Sequence, residues 1–175
     1  MIKIKNGRTK VHTFCSYDRS RIGTRAVRLT KFTDYSLRLL MYLAASPERR
    51  ATIAEVAKAY GISEHHVVKV VHLLGKEGYL RNTRGKGGGV QLARPAGEIN
   101  VGRVVRATEG ADRPAECFDT EHNDCALTEA CHLRRALKEA VDSFYASLER
   151  RTLEDLRIRA PRLVTALRWH ARPPS

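Results

Sequence analysis

Three cysteines, Cys117, Cys125 and Cys131, stand in a segment rich in Asp and Glu, with seven and then five residues between them. Thiolates are soft ligands, and three of them can converge on one metal centre while leaving a coordination position for a ligand of another kind. On the residues alone three chemistries compete: an iron-sulfur cluster, a zinc site completed by His122 or His132, and thiols that switch by oxidation. Zinc sites commonly pair cysteines about two to four residues apart, and no such pair exists here. Wider intervals let thiolates reach separate irons, which favours the cluster. The expected form is 4Fe-4S ahead of 2Fe-2S. Cys15, far upstream, reads as a bystander.

The elements that must position these thiols are legible as helices. From Thr30 to Ala45, Phe32, Tyr35, Leu39, Leu40 and Leu43 recur at helical spacing behind an N-cap at Thr30, with Asp34 in the first turns. Thr52 and Glu55 form a capping-box pattern opening a second helix that ends near Gly61. Ser63 caps a third, with Val67, Val70, Val71 and Leu74 on its buried side. Two helices joined by a tight glycine turn make a helix-turn-helix. Strand-like Tyr79–Thr83 and Val90–Arg94, joined by the basic tip Arg84-Gly-Lys-Gly-Gly-Gly89, add a wing. That tip lacks the phosphate-cradle pattern and its strand-to-helix context. No nucleophile triad or paired carboxylates stand in a catalytic setting, so the reading is not an enzyme.

Asn100 to Gly110 reads as a short helix. Beyond the cysteines, Leu133, Leu137, Ala140, Phe144 and Leu148 step at near-heptad spacing, which predicts a long helix that pairs with a second copy; the competing expectation is a stripe packed within one chain. The fold class expected is therefore mainly α with a small β-wing: a winged helix-turn-helix domain plus a long C-terminal dimerisation helix. The expected organisation is a disordered basic extension at 1–26, with Val27 an alternative start, a DNA-binding domain at 27–110, a cysteine loop at 111–131, the dimerisation helix at 132–156 and a basic tail at 157–175.

The net charge of +13 is unevenly spread. Residues 27–106 hold 14 basic and 6 acidic side chains, whereas residues 107–156 hold 6 and 12. A basic module suits phosphate contact, and an acidic one beside it argues that the cysteine segment does not touch DNA. The third helix would enter the major groove of double-stranded DNA, with Ser63, His65, His66 and Lys69 as candidate contacts. Arg84 and Lys86 of the wing would meet phosphate or the minor groove. No export signal or membrane span is legible, and a cytoplasmic location is expected.

Thr30-Lys-Phe-Thr-Asp-Tyr, Ile62-Ser-Glu-His-His-Val-Val-Lys-Val-Val-His-Leu-Leu-Gly, Gly78-Tyr-Leu, Arg84-Gly-Lys-Gly-Gly-Gly, Gln91-Leu-Ala-Arg and Val105-Arg-Ala-Thr-Glu-Gly followed by Glu116-Cys-Phe-Asp occur together over about residues 27 to 156. This combination resembles the NsrR-like nitric oxide-sensing repressors, part of a family of bacterial iron-sulfur winged-helix regulators that also includes IscR-like regulators of cluster biogenesis. The resemblance implies a homodimeric repressor with one cluster per subunit held by Cys117, Cys125 and Cys131. It also implies a fourth ligand from the first helix of the other subunit, at the position of Asp34. Reaction with nitric oxide would then release the DNA operator and open genes of nitrosative-stress defence. IscR-like proteins carry a histidine three residues after the last cysteine; Arg134 stands there, with His132 nearby.

A carboxylate on a sulfur-bridged iron is a hard donor on a soft centre and is more easily displaced than a thiolate, so it would mark the iron open to attack. Glu116, Asp119, Glu121, Asp124 and Glu129 surround the cysteines. Their charge is expected to disfavour reduction of a cluster, making direct attack by a small molecule the more natural signal.

Overall fold

The computed structural model describes residues 28–85, 87–110, 114–119 and 121–157. The expected basic extension at 1–26, nearly all of the tail beyond Arg157, and Lys86 lie outside the described residues.

Helix α1 spans Lys31–Ala44, and Thr30 caps it by accepting the Thr33 amide. Its periodic apolar face buries Leu39, Leu40 and Leu43 in the core. Helix α2, Ile53–Tyr60, opens on the full reciprocal cap: the Glu55 amide donates to the Thr52 hydroxyl, and the Thr52 amide donates to the Glu55 carboxylate at 2.8 Å. It stops at Gly61, whose φ of 63° is the left-handed conformation that favours glycine. Helix α3, Glu64–Lys76, follows at once from its Ser63 cap and buries Val67, Val70, Val71 and Leu74. The caps and buried faces of all three helices agree with the sequence pattern.

Strands β1, Leu80–Thr83, and β2, Gly89–Leu92, pair antiparallel with Leu80 opposite Leu92 and Thr83 opposite Gly89. Ala51, just before α2, exchanges two backbone hydrogen bonds with Val90, at 3.0 and 2.8 Å, and so ties the wing to the helix-turn-helix. A 3-10 turn, Ala96–Glu98, leads into α4, Val101–Glu109, capped by Asn100. The core formed by α1, α2, α3 and the wing is closed by Ile99, Val104 and Leu153.

The expected single helix over 132–156 is corrected to two. Helix α5 spans His132–Glu149, the chain turns at Arg150–Thr152, and a short α6 runs Leu153–Arg157. The break has a local cause: the amide and hydroxyl of Thr152 donate to Asp155 at 2.7 and 3.0 Å, and the Asp155 amide returns a bond to the Thr152 hydroxyl. A new helix start therefore competes with continuation of the old one. The turn brings the chain back to the core, where the amides of Val101 and Leu153 donate to the carbonyls of Arg151 and Ile99 and bury Leu153.

Helix α5 docks on α4 at a close crossing. Gly102 lets it approach, for a Cβ there would stand 2.7 Å from the Glu149 amide nitrogen. Arg106 spans the same contact, stacked 3.8 Å over the Tyr145 ring and paired with Glu149 at 2.9 Å. Tyr145 is the buried residue of α5. The near-heptad stripe is only partly covered by the described residues: Leu133 is 65 % exposed, Ala140 is exposed, and Leu137, Phe144 and Leu148 are half-covered. Among the described residues, no helix is long and apolar enough to cross a membrane.

Candidate DNA-binding face and cysteine loop

Helix α3 turns one face to the core and leaves the other to solvent. Ser63, His65, His66 and Lys69 are all exposed, as the pattern predicts, but they are not equivalent. The Ser63 hydroxyl is engaged locally, capping the His66 amide and lying 2.9 Å from its Nδ1. The His66 ring also rests 5.8 Å from that of Tyr35 on α1, so α1 helps to place the N-terminal turn of α3. The His65 ring lies 6.2 Å from that of His66, and Lys69 projects from the same exposed face. They flank Val68, which is 46 % exposed, and His72 continues the same surface.

Val68 and His72 were absent from the sequence-derived set, although the spacing 65, 68, 69, 72 of one helical face identifies them once the buried side is known. Arg50 was also missed. Its guanidinium donates to the Gln91 side chain at 3.1 Å and to the Gly87 carbonyl at 3.4 Å, which sets a cation beside the wing. Arg84 is exposed at the wing tip. Arg94 pins the root of the wing, donating twice to the Gly78 carbonyl and stacking 5.2 Å over Tyr79.

The cysteine loop has no buried residue among those described between 114 and 131. It is organised by side-chain bonds to its own backbone. Glu116 accepts the Asp124 amide at 3.0 Å, and Asp119 accepts the amides of Glu121 and His122. Asn123 accepts the Cys125 amide and donates to Thr128. Two of the carboxylates expected to act through their charge thus also shape the loop. His122 leans on Asp119 at 3.6 Å.

All three thiols are free: Cys125 is exposed, while Cys117 and Cys131 are half-buried. Cys131 is the N-cap of α5, and its Sγ accepts the Arg134 amide at 3.4 Å. The Arg134 side chain donates to the Cys117 carbonyl at 3.1 Å and stacks 5.8 Å over Phe118, linking the two ends of the loop. A groove of about 770 Å³ beside this clamp is lined by Arg106, Cys131, Arg134 and Lys138.

The loop does not bring its ligands together by itself: among the described residues, no group of three or more His, Cys, Asp or Glu converges as a metal set. Asp34, in the first turn of α1, gives both carboxylate oxygens to Arg38 at 2.8 and 2.9 Å. The donor chemistry nevertheless fits a cluster. Three thiols outside any disulfide, one exposed and two half-buried, lie on a segment with no buried residue, one already accepting an amide bond of the kind that stabilises a sulfur ligand. Such a segment takes its final form from what it binds.

The site connects to the DNA-binding face through α1. The Thr30 amide donates to Glu109 at 2.8 Å, joining the start of α1 to the end of α4, the helix that leads to the cysteines. On the other side, the Tyr60 hydroxyl at the end of α2 donates to the Arg38 carbonyl at 2.9 Å. Burial pushes the Tyr60 phenol up to about 12.

Residues 29–158 match the family model Rrf2, described as an iron-dependent transcriptional regulator. The chain is 46 % identical to the HTH-type transcriptional regulator NsrR of Geobacillus kaustophilus over 131 residues, covering 74 % of this chain and 89 % of that protein. It is 43 % identical to the NsrR regulator of Bacillus subtilis, covering 74 % and 90 %. Among solved structures, CymR, the global cysteine regulator of B. subtilis, superposes with a TM-score of 0.57 at 26 % identity, covering 75 % of this chain and 96 % of that one. A winged helix-turn-helix with an exposed recognition face, joined to relatives of this kind along most of its length, places the chain in the Rrf2 family of DNA-binding transcriptional regulators.

Proposed function

We propose that this regulator is a homodimeric repressor holding one iron-sulfur cluster per subunit, 4Fe-4S in preference to 2Fe-2S, and that it releases its operator in response to nitric oxide. The observation that carries the reading is the place of the three free thiols: an unpacked loop fused directly to α5, whose first residue follows the Cys131 cap and whose apolar stripe is only partly covered. Ligand and dimer helix are therefore one continuous piece of chain. When bound, the cluster would supply iron able to react directly with nitric oxide.

The remaining steps belong to the protein. Cys117, Cys125 and Cys131 would hold the group, and Asp34 of the partner subunit would complete the set. Asp34 would have to leave Arg38 to do so, and its return would restore the described pairing within the first turn of α1. That turn carries Tyr35 against His66, and Arg38 carries the Tyr60 hydroxyl just ahead of the Gly61 turn. A change at the carboxylate thus reaches both ends of the α2–α3 connection, altering how two recognition helices address two half-sites. Leu133, Leu137, Phe144 and Leu148 supply the apolar seam between the copies.

Arg134 bears on the IscR-like alternative. It occupies the place of that histidine and is committed to the Cys117 carbonyl and to Phe118.

Anaerobic purification tests the proposal. A brown dimer whose visible absorption bleaches with nitric oxide, and whose DNA complex dissociates in step, is expected. A colourless protein with one tightly bound zinc, or DNA affinity indifferent to loss of iron, overturns it.

A further inference from the structure

Among the described residues, three large apolar side chains stand in solvent, and one of them, Val68, does so where solvation is least expected: in the middle of α3, on the face turned away from the core. Its neighbours there are all polar. His65 precedes it, Lys69 and His72 follow it, and each is exposed. The buried side of the helix is accounted for separately by Val67, Val70, Val71 and Leu74, and Val68 lies outside the core. An isolated surface valine on a random face needs no explanation. Here it occupies the fifth helical residue after the Ser63 cap, within the N-terminal part of a recognition helix, the part that approaches base edges.

We infer that Val68 is a sequence-reading residue whose methyl groups contact the 5-methyl of a thymine in each operator half-site. The inference rests on the reading of α3 as the helix that enters the major groove. Thymine is the one base that displays an apolar group in that groove; the other edges offer hydrogen-bond donors and acceptors, which valine cannot satisfy and would desolvate. The cationic and polar side chains around Val68 address phosphates and hydrogen-bonding edges, so they provide attraction and orientation, while the valine provides discrimination. Val68 thus favours T·A over C·G at one position, a preference that charge alone cannot create.

Deoxyuridine isolates the contact, because it differs from thymine only by that methyl. The iron-loaded dimer is used to select a duplex from a random-sequence pool, and each thymine of the selected site is then replaced in turn by deoxyuridine. Affinity is expected to fall about fourfold at one thymine, related by symmetry in the two half-sites, the value of one buried methyl group. Val68→Ala should bind the thymine and deoxyuridine duplexes equally at that position, and Val68→Thr, which keeps one methyl, should retain part of the preference. Circular dichroism of Val68→Ala should match the unmodified protein, since the side chain fills no core space. A selected duplex on which no methyl removal matters, or a Val68→Ala protein that keeps the same preference for thymine, overturns the assignment of Val68 alone. Failure to select any preferred duplex overturns the recognition-helix reading, and this assignment falls with it.

Discussion

Asp34 and Arg38 meet one helical turn apart on α1, the carboxylate accepting two bonds from the guanidinium at 2.8 and 2.9 Å. Both side chains are over two-fifths exposed, so the pair is screened and contributes only about 0.3–0.5 kcal/mol. An ion pair this weak leaves the carboxylate available to another partner.

Two substitutions separate holding from binding. Asp34→Ala should leave folding stability within about 0.5 kcal/mol while destabilising the cluster or altering its nitric oxide response. Arg38→Ala removes the competitor, so the visible absorption should decay more slowly under an iron chelator. Unchanged spectrum, ligand response and DNA affinity in Asp34→Ala would remove Asp34 from the ligand set.

Lys69 is exposed on the outer face of α3. Lys69→Ala should weaken binding to all duplexes alike and reduce the slope of log affinity against log salt by roughly 1 per subunit, as loss of one phosphate contact requires. The visible spectrum should not move. Salt titrations of DNA affinity on the iron-loaded protein read the slope directly.

The partly covered stripe of α5 makes a different prediction from its buried face. Leu133→Glu should convert the dimer to monomer in sedimentation velocity with little effect on the monomer fold, because the side chain is 65 % exposed there. Tyr145→Ala instead removes a buried ring from the α4–α5 contact and should cost about 3 kcal/mol of stability. A dimer that survives Leu133→Glu and Leu137→Glu together would place the interface elsewhere.

Alkaline pH should find Tyr60. Burial raises its phenol from 10.0 to about 12, so the folded state keeps a proton that the unfolded chain has lost. The stability this represents is complete below pH 10 and drains away as pH rises toward 12. Tyr60→Phe should flatten that loss in chemical unfolding curves, and at neutral pH it should cost only the bond to the Arg38 carbonyl, about 1 kcal/mol.

Caps and cores were legible because their causes are local. Thr30, the Thr52–Glu55 box, Ser63 and Asn100 each bond within four residues, so sequence spacing reports them directly. The break at Thr152 was equally local, but the near-heptad run before it was followed to its end and the Thr152–Asp155 spacing was not read as a cap. Val68 was missed because the candidate contacts were chosen for polarity and charge; it was correctly left off the buried side of α3, but an apolar side chain was not weighed as a contact. The three thiols were singled out by their type and spacing, but the described residues do not bring them together as a metal set, and no spacing rule fixes how such a loop closes.

The close crossing of α4 and α5 gives the sharpest test of how the cysteine-bearing half is attached. A Cβ at Gly102 would stand 2.7 Å from the amide nitrogen and 3.0 Å from the Cα of Glu149, so backbone, rather than a mobile side chain, must yield. The displaced end of α5 also carries the Glu149 carbonyl that accepts from Asn100 at 2.6 Å and the carboxylate that holds Arg106. Gly102→Ala should therefore destabilise the fold by about 2 kcal/mol despite alanine's better helix propensity. Gly97 is the control, since a Cβ there meets nothing within 4 Å; Gly97→Ala should stay within about 0.5 kcal/mol of the unmodified protein. Denaturant unfolding of the pair decides the matter: equal midpoints would mean that α5 is not seated on α4 by this contact, and that the route from cysteine loop to recognition helix does not run through α4.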